Sequence, residues 1–371
     1  MSIFYRLLLA ILAFAPARAT EPLLLAHYMP WYATKDVSGA WGWHWTMNRF
    51  DPERVREDGR REIASHDYPL IGPYDSGDDH ALECQVLLMK LAGLDGVVID
   101  WYGTSDIHDH AANHRHALKL LPWLKKAGLR FAVCYEDNAV KSLKNGDDVR
   151  QAEKDLAWAA EHFFTAENYV RHDGRPVLLV FGPQHLQWKF QLASKPLVFG
   201  LPHLAKQHGL DGAFAWPPVT GGKRIEPEQW RRELDSVYAS KQPFIATAFP
   251  GFHDIYKEAG VHDSYGSIEA RDGRTFIESL AQAMKSGAPI VQIATWNDYG
   301  EGTVIEPTRN HGYRYLEALP RSGDKAHLRL PVRLYELRKR GGDTAKLDEA
   351  ARLLFESKAA EAAVILEGAG R

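Results

Sequence analysis

The chain has 371 residues, a formal net charge of −3 and 45% hydrophobic residues. That length suits one large barrel or two small domains, and the apolar share is enough for a sizeable core. The near-neutral charge excludes an electrostatic footprint for nucleic acid, and the composition excludes a disordered or collagen-like chain.

The N-terminus reads as a secretory signal over residues 1–19. Arg6 supplies the positive region, Leu7 to Ala15 the short apolar core, and Ala17-Arg18-Ala19 the small-x-small cleavage site. The mature chain is expected to begin at about Thr20 and to be secreted or periplasmic, with an uncleaved anchor as the weaker alternative. No later segment approaches 18 apolar residues, so no membrane span is expected in the mature chain. Cys84 and Cys134 are the only cysteines. They read as two buried free thiols, with a disulfide as the alternative in an oxidising compartment.

Eight short apolar runs follow in order: Leu23 to Met29, Gly96 to Trp101, Arg130 to Glu136, Pro176 to Phe181, Pro196 to Gly200, Gly212 to Trp216, Phe244 to Phe249 and Pro289 to Trp296. Each is apolar on both faces, as a buried parallel strand must be. Helical patterns intervene at Asp78–Ala92, Ala111–Lys126, Asp148–Phe164, Glu226–Ser240 and Arg274–Ser286. The eightfold alternation predicts an α/β fold, a (β/α)8 TIM barrel over residues 20–320. A doubly wound sheet is the rival, and the lack of GxGxxG after the first strand speaks against it. Residues 321–371 read as a C-terminal helical extension packed on the barrel.

In a barrel, chemistry sits where strands end. The first run ends in His27-Tyr28-Met29-Pro30-Trp31-Tyr32, and the loop beyond carries Trp41, Trp43, His44 and Trp45, then Tyr74-Asp75. The second ends in Asp100-Trp101-Tyr102, the third in Tyr135-Glu136-Asp137, the sixth in Trp216 and the seventh in Phe249 to Asp254. The eighth ends in Trp296-Asn297-Asp298-Tyr299-Gly300-Glu301-Gly302-Thr303. Rings beside carboxylates at so many ends suit a sugar, whose C–H faces stack on flat side chains; ordinary packing is the alternative for any single ring. Asp298 and Glu301 form the pair that glycosidic cleavage needs, one acid and one base or nucleophile. In isolation such a pair reads better as a helix cap or a salt bridge, and its place at the end of the last strand is what favours catalysis. The histidines, including His108, His110, His114 and His116, fit no zinc spacing, so neither metal nor cofactor is expected.

These motifs resemble glycoside hydrolase family 99, the endo-acting α-mannosidases, and the related family 71 of α-1,3-glucanases. The resemblance rests on Tyr28-x-Pro30-Trp31-Tyr32, Gly72-Pro73-Tyr74-Asp75-Ser76, Trp101-Tyr102, Phe249-Pro250-Gly251-Phe252 and the segment from Trp296 to Pro307. It implies an α-linked oligo- or polysaccharide substrate, Glu301 as general acid and Asp298 as base. It also offers His27, Tyr28, Trp31, Tyr32, His44, Trp45, Tyr74, Asp75, Trp101, Tyr102, Trp216, His253 and Asn297 as sugar contacts, some of which will be core instead. Asp100 is either a ligand-orienting residue or a barrel-layer residue. Family 99 has Glu where this chain has Asp298. The shorter side chain leaves room for a water and favours inversion over attack by the sugar's own 2-hydroxyl. The rivals to a hydrolase are a non-catalytic glycan-binding barrel and a glycan-processing partner of a glycosyltransferase.

Overall fold

The computed structural model describes residues 21–144 and 146–369. The signal-peptide reading of residues 1–19 lies outside them. Eight parallel strands form the barrel: β1 (Leu23–Tyr28), β2 (Gly96–Trp101), β3 (Arg130–Tyr135), β4 (Arg175–Val180), β5 (Leu197–Gly200), β6 (Gly212–Phe214), β7 (Phe244–Ala248) and β8 (Ile290–Ile293). Each pairs with the next, β3 pairs with β4, and β8 returns to β1 through Leu24–Val291 and Ala26–Ile293. Closure excludes the doubly wound alternative.

Outside the barrel run α1 (Asp79–Leu91), α2 (His110–Ala127), α3 (Asp147–His162), α4 (Pro202–His208), α5 (Pro227–Tyr238) and α6 (Arg274–Lys285). The Asp78 carboxylate caps α1 by accepting from the His80 N–H, and Gly128 and Gly209 end α2 and α4 in the left-handed conformation that glycine adopts without strain. No helix among the described residues is long and apolar enough to cross a membrane.

Two strands stop two or more residues short of the sequence expectation. After β6 the Ala215 carbonyl leaves the ladder to accept from Thr247 Oγ1 and from Gln292 Nε2 at 2.8 Å. After β8 the chain closes on itself, with Thr295 N–H donating to the Thr303 carbonyl at 2.7 Å. Residues 295–303 are therefore a loop at the C-terminal rim.

The tail forms α7 (Leu330–Lys339), α8 (Thr344–Phe355) and α9 (Ala359–Gly368), and α7 packs along α1. Arg338 on α7 grips Glu83 on α1 with two bonds of 2.6 and 3.1 Å, in the fork geometry that suits a carboxylate. Arg321 reaches Asp95 and the Pro22 carbonyl, which fixes the start of the tail to the N-terminal side of β1 and β2. Cys84 and Cys134 are both buried and free.

Candidate active site

The 295–303 loop is held from within and from two sides. Within it, Asp298 N–H donates to Thr295 Oγ1 at 2.8 Å, and Glu301 N–H donates to Asp298 Oδ1 at 3.0 Å. Toward β7, His253 N–H donates to the Glu301 carbonyl at 2.9 Å and Ile255 N–H to the Gly300 carbonyl at 3.0 Å. Gly302 has φ +66, and a Cβ there would stand 2.7 Å from the His253 carbonyl oxygen, so only glycine fits this crossing. Toward β1, the Asn297 amide accepts from Met29 N–H at 2.8 Å and donates to the Met29 carbonyl at 3.0 Å.

So anchored, the loop turns Asp298 and Glu301 into a pocket of about 160 Å³, shared with His27, Met29, Trp31, Asp100, Tyr102, Glu136, Phe181, Trp216 and Tyr256. Seven different strand ends or their loops supply these residues. A cleft of about 600 Å³ lies elsewhere, lined by Arg175, Pro196 and Asp211 among others. These residues precede or open their strands, so that cleft lies on the opposite face of the barrel, away from the carboxylates.

Burial sets the charge states. It pushes Asp298 up to about 7, opposed by the Glu301 N–H and reinforced by the Asp100 charge. Glu301 is pushed well above the usual carboxylate range, first by burial and then by the charges of Asp298, Asp254 and Asp100; the Trp216 side chain opposes this. Glu136 is raised in the same way, by burial and then by Asp100 and Asp137. Asp100 is raised by burial, opposed by His27. The loop thus carries one carboxyl held as an acid and one poised to ionise near neutrality.

Of the residues offered from sequence, His27, Trp31, Asp100, Tyr102, Trp216, Asp298 and Glu301 line the pocket. The others stand behind or beside it. Tyr28, Tyr32, Trp45, Tyr74, Trp101 and Asn297 are fully or almost fully buried outside its lining, which leaves them no face for a sugar. Five of the six belong to a packed support behind the loop. Tyr28 OH donates to Gln85 Oε1, Gln85 Nε2 donates to Glu306, and Tyr74 OH and Tyr299 OH both donate to Glu306 Oε2 at 2.8 Å. Asn297 Nδ2 donates to Tyr74 OH, Tyr32 OH donates to the Asn297 carbonyl, and Trp45 packs on Tyr32 with its indole N–H on the Tyr74 carbonyl. Trp101 instead packs outward among Tyr135, Trp158 and Phe163.

Asp75 accepts from Thr34 N–H, Ser38 Oγ and Gly77 N–H, which shapes the loop after β1. His44 stacks flat on Trp31 at 4.0 Å, and burial lowers it to about 3, so it is a neutral backing ring. His253 stacks on His66 and lines a separate cleft of about 540 Å³ on the far side of the loop. The candidates read from the sequence left out Met29, Glu136, Phe181 and Tyr256. Glu136 follows β3 directly, so its position at a strand end was the available signal. Tyr256 reaches the pocket from a short turn of helix beyond β7, which no local pattern announces.

No metal spacing exists in the sequence, yet the fold brings donor atoms of His27, Asp100 and Cys134 within 4.8 Å of one another. They come from three adjacent strands, which no linear spacing rule detects.

No known family profile matches the chain. It is 22% identical over 336 residues to a glycoprotein endo-alpha-1,2-mannosidase-like protein of Danio rerio, covering 80% of this chain and 74% of that one. It is 21% identical to the Homo sapiens protein of the same description, covering 80% and 72%. Among solved structures it is similar to the GH99 endo-alpha-mannosidase from Bacteroides thetaiotaomicron, with a TM-score of 0.61, 18% identity, and coverage of 83% of this chain and 98% of that one. A glycoside hydrolase-like protein aligns with a TM-score of 0.55 and 13% identity, covering 81% and 94%. The resemblance to family 99 seen in the motifs therefore extends along most of the chain, and the barrel is of the family 99 kind.

Proposed function

We propose that this chain is a glycoside hydrolase of α-linked glycans, of the α-mannan or α-1,3-glucan type, with Glu301 as general acid and Asp298 as base. One observation carries the reading: two carboxyl groups on one anchored loop open into the same small pocket, where burial raises both. Glu301, held protonated, gives its proton to the leaving glycosidic oxygen. Asp298 spends Oδ1 on the loop and has Oδ2 left to take a proton from the attacking group. Trp31 and Trp216 supply ring surface, and Glu136 and Asp100 accept from sugar hydroxyls. The similarity to endo-acting mannosidases supports the substrate class and an endo mode of cleavage.

The test is cleavage of α-mannan and α-1,3-glucan with product lengths resolved. Short reducing oligosaccharides from either polymer support the reading, and a protein that binds both and cuts neither is a lectin-like barrel instead. We take the attacking group to be water, because Asp298 is one methylene shorter than the family 99 Glu. Proton NMR of fresh product should then show the β-anomer, and an α-anomer rejects this step. Turnover is expected to survive dialysis against EDTA, since the proposed chemistry uses no metal.

Export is proposed from the N-terminal pattern alone. Sequencing of the exported protein should begin at or near Thr20, and retention of Met1 would refute it.

A further inference from the structure

Asp100, Glu136, Asp298 and Glu301 all line the pocket of about 160 Å³, and among the described residues lining it there is no Lys or Arg. Four carboxyl groups thus face one small pocket with neither ammonium nor guanidinium beside them. His27 stands beside them. Its Nδ1 lies 3.3 Å from Gln292 Oε1. The orientation of that amide is fixed, because Gln292 Nε2 donates to the Ala215 carbonyl at 2.8 Å and to Thr247 Oγ1 at 3.1 Å. Thr247 Oγ1 gives its own proton to the Ala215 carbonyl, so toward Gln292 it can only accept. The oxygen of Gln292 therefore faces His27, and His27 Nδ1 carries the proton.

The opposite nitrogen, Nε2 of His27, is buried without a hydrogen-bond partner. It stands 3.9 Å from Asp100 Oδ1, too far for a direct hydrogen bond and close enough for one donor to bridge both. A hydroxyl has a single proton to give, whereas an ammonium has three and accepts none. We propose that the pocket takes a sugar residue bearing a free primary amino group, with His27, Asp100 and Glu136 holding the ammonium. This rests on the hydrolase reading and narrows its substrate to an α-linked glycan containing an amino sugar. Burial raises Asp100 and Glu136, and an ammonium between them would draw both back toward the ionised form. A metal ion is the other cation these acceptors suit. Of the three possible ligands, however, Cys134 lies outside the pocket lining, and burial pushes its thiol up, against the thiolate a metal needs.

The test is calorimetric titration of the intact protein in phosphate buffer with EDTA, free of amine buffers. Mannosamine, glucosamine and galactosamine are each compared with the parent sugar and the N-acetyl form. In at least one set the free amine should bind about tenfold tighter or more than both neutral forms, roughly what one charge-assisted hydrogen bond contributes. Rising NaCl should shrink that preference, and Glu136→Gln should bring the ratio toward one. The salt series on the parent protein decides the matter if the variant fails to fold. A ratio under tenfold in every set overturns the proposal, as does a preference that appears only when EDTA is left out, which marks a metal site. Cleavage of neutral α-glycans without amine preference removes this proposal and leaves the hydrolase. Amine preference without cleavage of any glycan, amino-sugar polymers included, removes the hydrolase and leaves an amine-binding barrel.

Discussion

The backbone N–H of Glu301 donates to Oδ1 of Asp298 at 3.0 Å, so the Asp298 side chain fixes the backbone that carries Glu301. Asp298 holds the loop with one oxygen and faces the chemistry with the other. Asp298→Asn keeps an oxygen for the loop and loses the base. Asp298→Ala loses both. Turnover should fall by about 10²–10⁴-fold or more in each, the range general catalysis contributes. Only the alanine variant should also melt at lower temperature in a thermal scan. Equal melting of the two would show that the bond does not hold the loop.

The pH profile follows from the two environments. Asp298 must be ionised to act, and burial puts it at about 7, so kcat/KM should fall as pH drops below neutrality. Glu301 must be protonated, and it is held well above the usual range, so the alkaline limb should lie higher. Trp216→Phe keeps a ring but removes the polar contact that pulls Glu301 down. Its alkaline limb should move further up, and an unmoved limb would remove Trp216 from the acid's surroundings.

Much of this architecture was readable from the sequence, and the reason is burial. A parallel strand covered on both faces must be a continuous apolar run, so Gly96–Trp101 and Arg130–Tyr135 appear in the chain almost as they do in the barrel. Position after a strand also located the rim loop. It did not reveal which way a rim side chain turns. Tyr74 and Asn297 sit at such ends, yet their polar atoms go to Glu306 and Met29, because a loop bearing two raised carboxylates needs a rigid backing. Glu306 lies inside the motif from Trp296 to Pro307, but its bracing role carried no local signal, since its partners Gln85, Tyr74 and Tyr299 come from separate segments.

Glu306 gives a stability prediction. Glu306→Ala strands the hydroxyls of Tyr74 and Tyr299 and the amide of Gln85, and each unsatisfied buried group costs about 1–3 kcal/mol. The melting temperature should drop clearly. Burial raises Glu306 to about 7, against roughly 4.3 unfolded. The folded state therefore holds this proton more tightly, and the stabilisation it gives is complete below about pH 4.3 and lost as pH rises through about 7. Denaturant titrations across that window should show a shallower decline in Glu306→Gln than in the parent. An unchanged slope would mean that Glu306 does not titrate there.

The most direct measurement is the rate of Glu301→Gln on two α-glycosides that differ only in leaving group. The amide keeps the shape of the side chain but has no proton to give. Hydrolysis of an unactivated glycan should fall by about 10²–10⁴-fold, whereas an aryl glycoside with a good leaving group should lose much less. Asp298→Asn should lose both rates together, because the base serves the attacking group whatever departs. That asymmetry is the result predicted for Glu301 as acid and Asp298 as base. Near-parental turnover of both substrates by Glu301→Gln would contradict it.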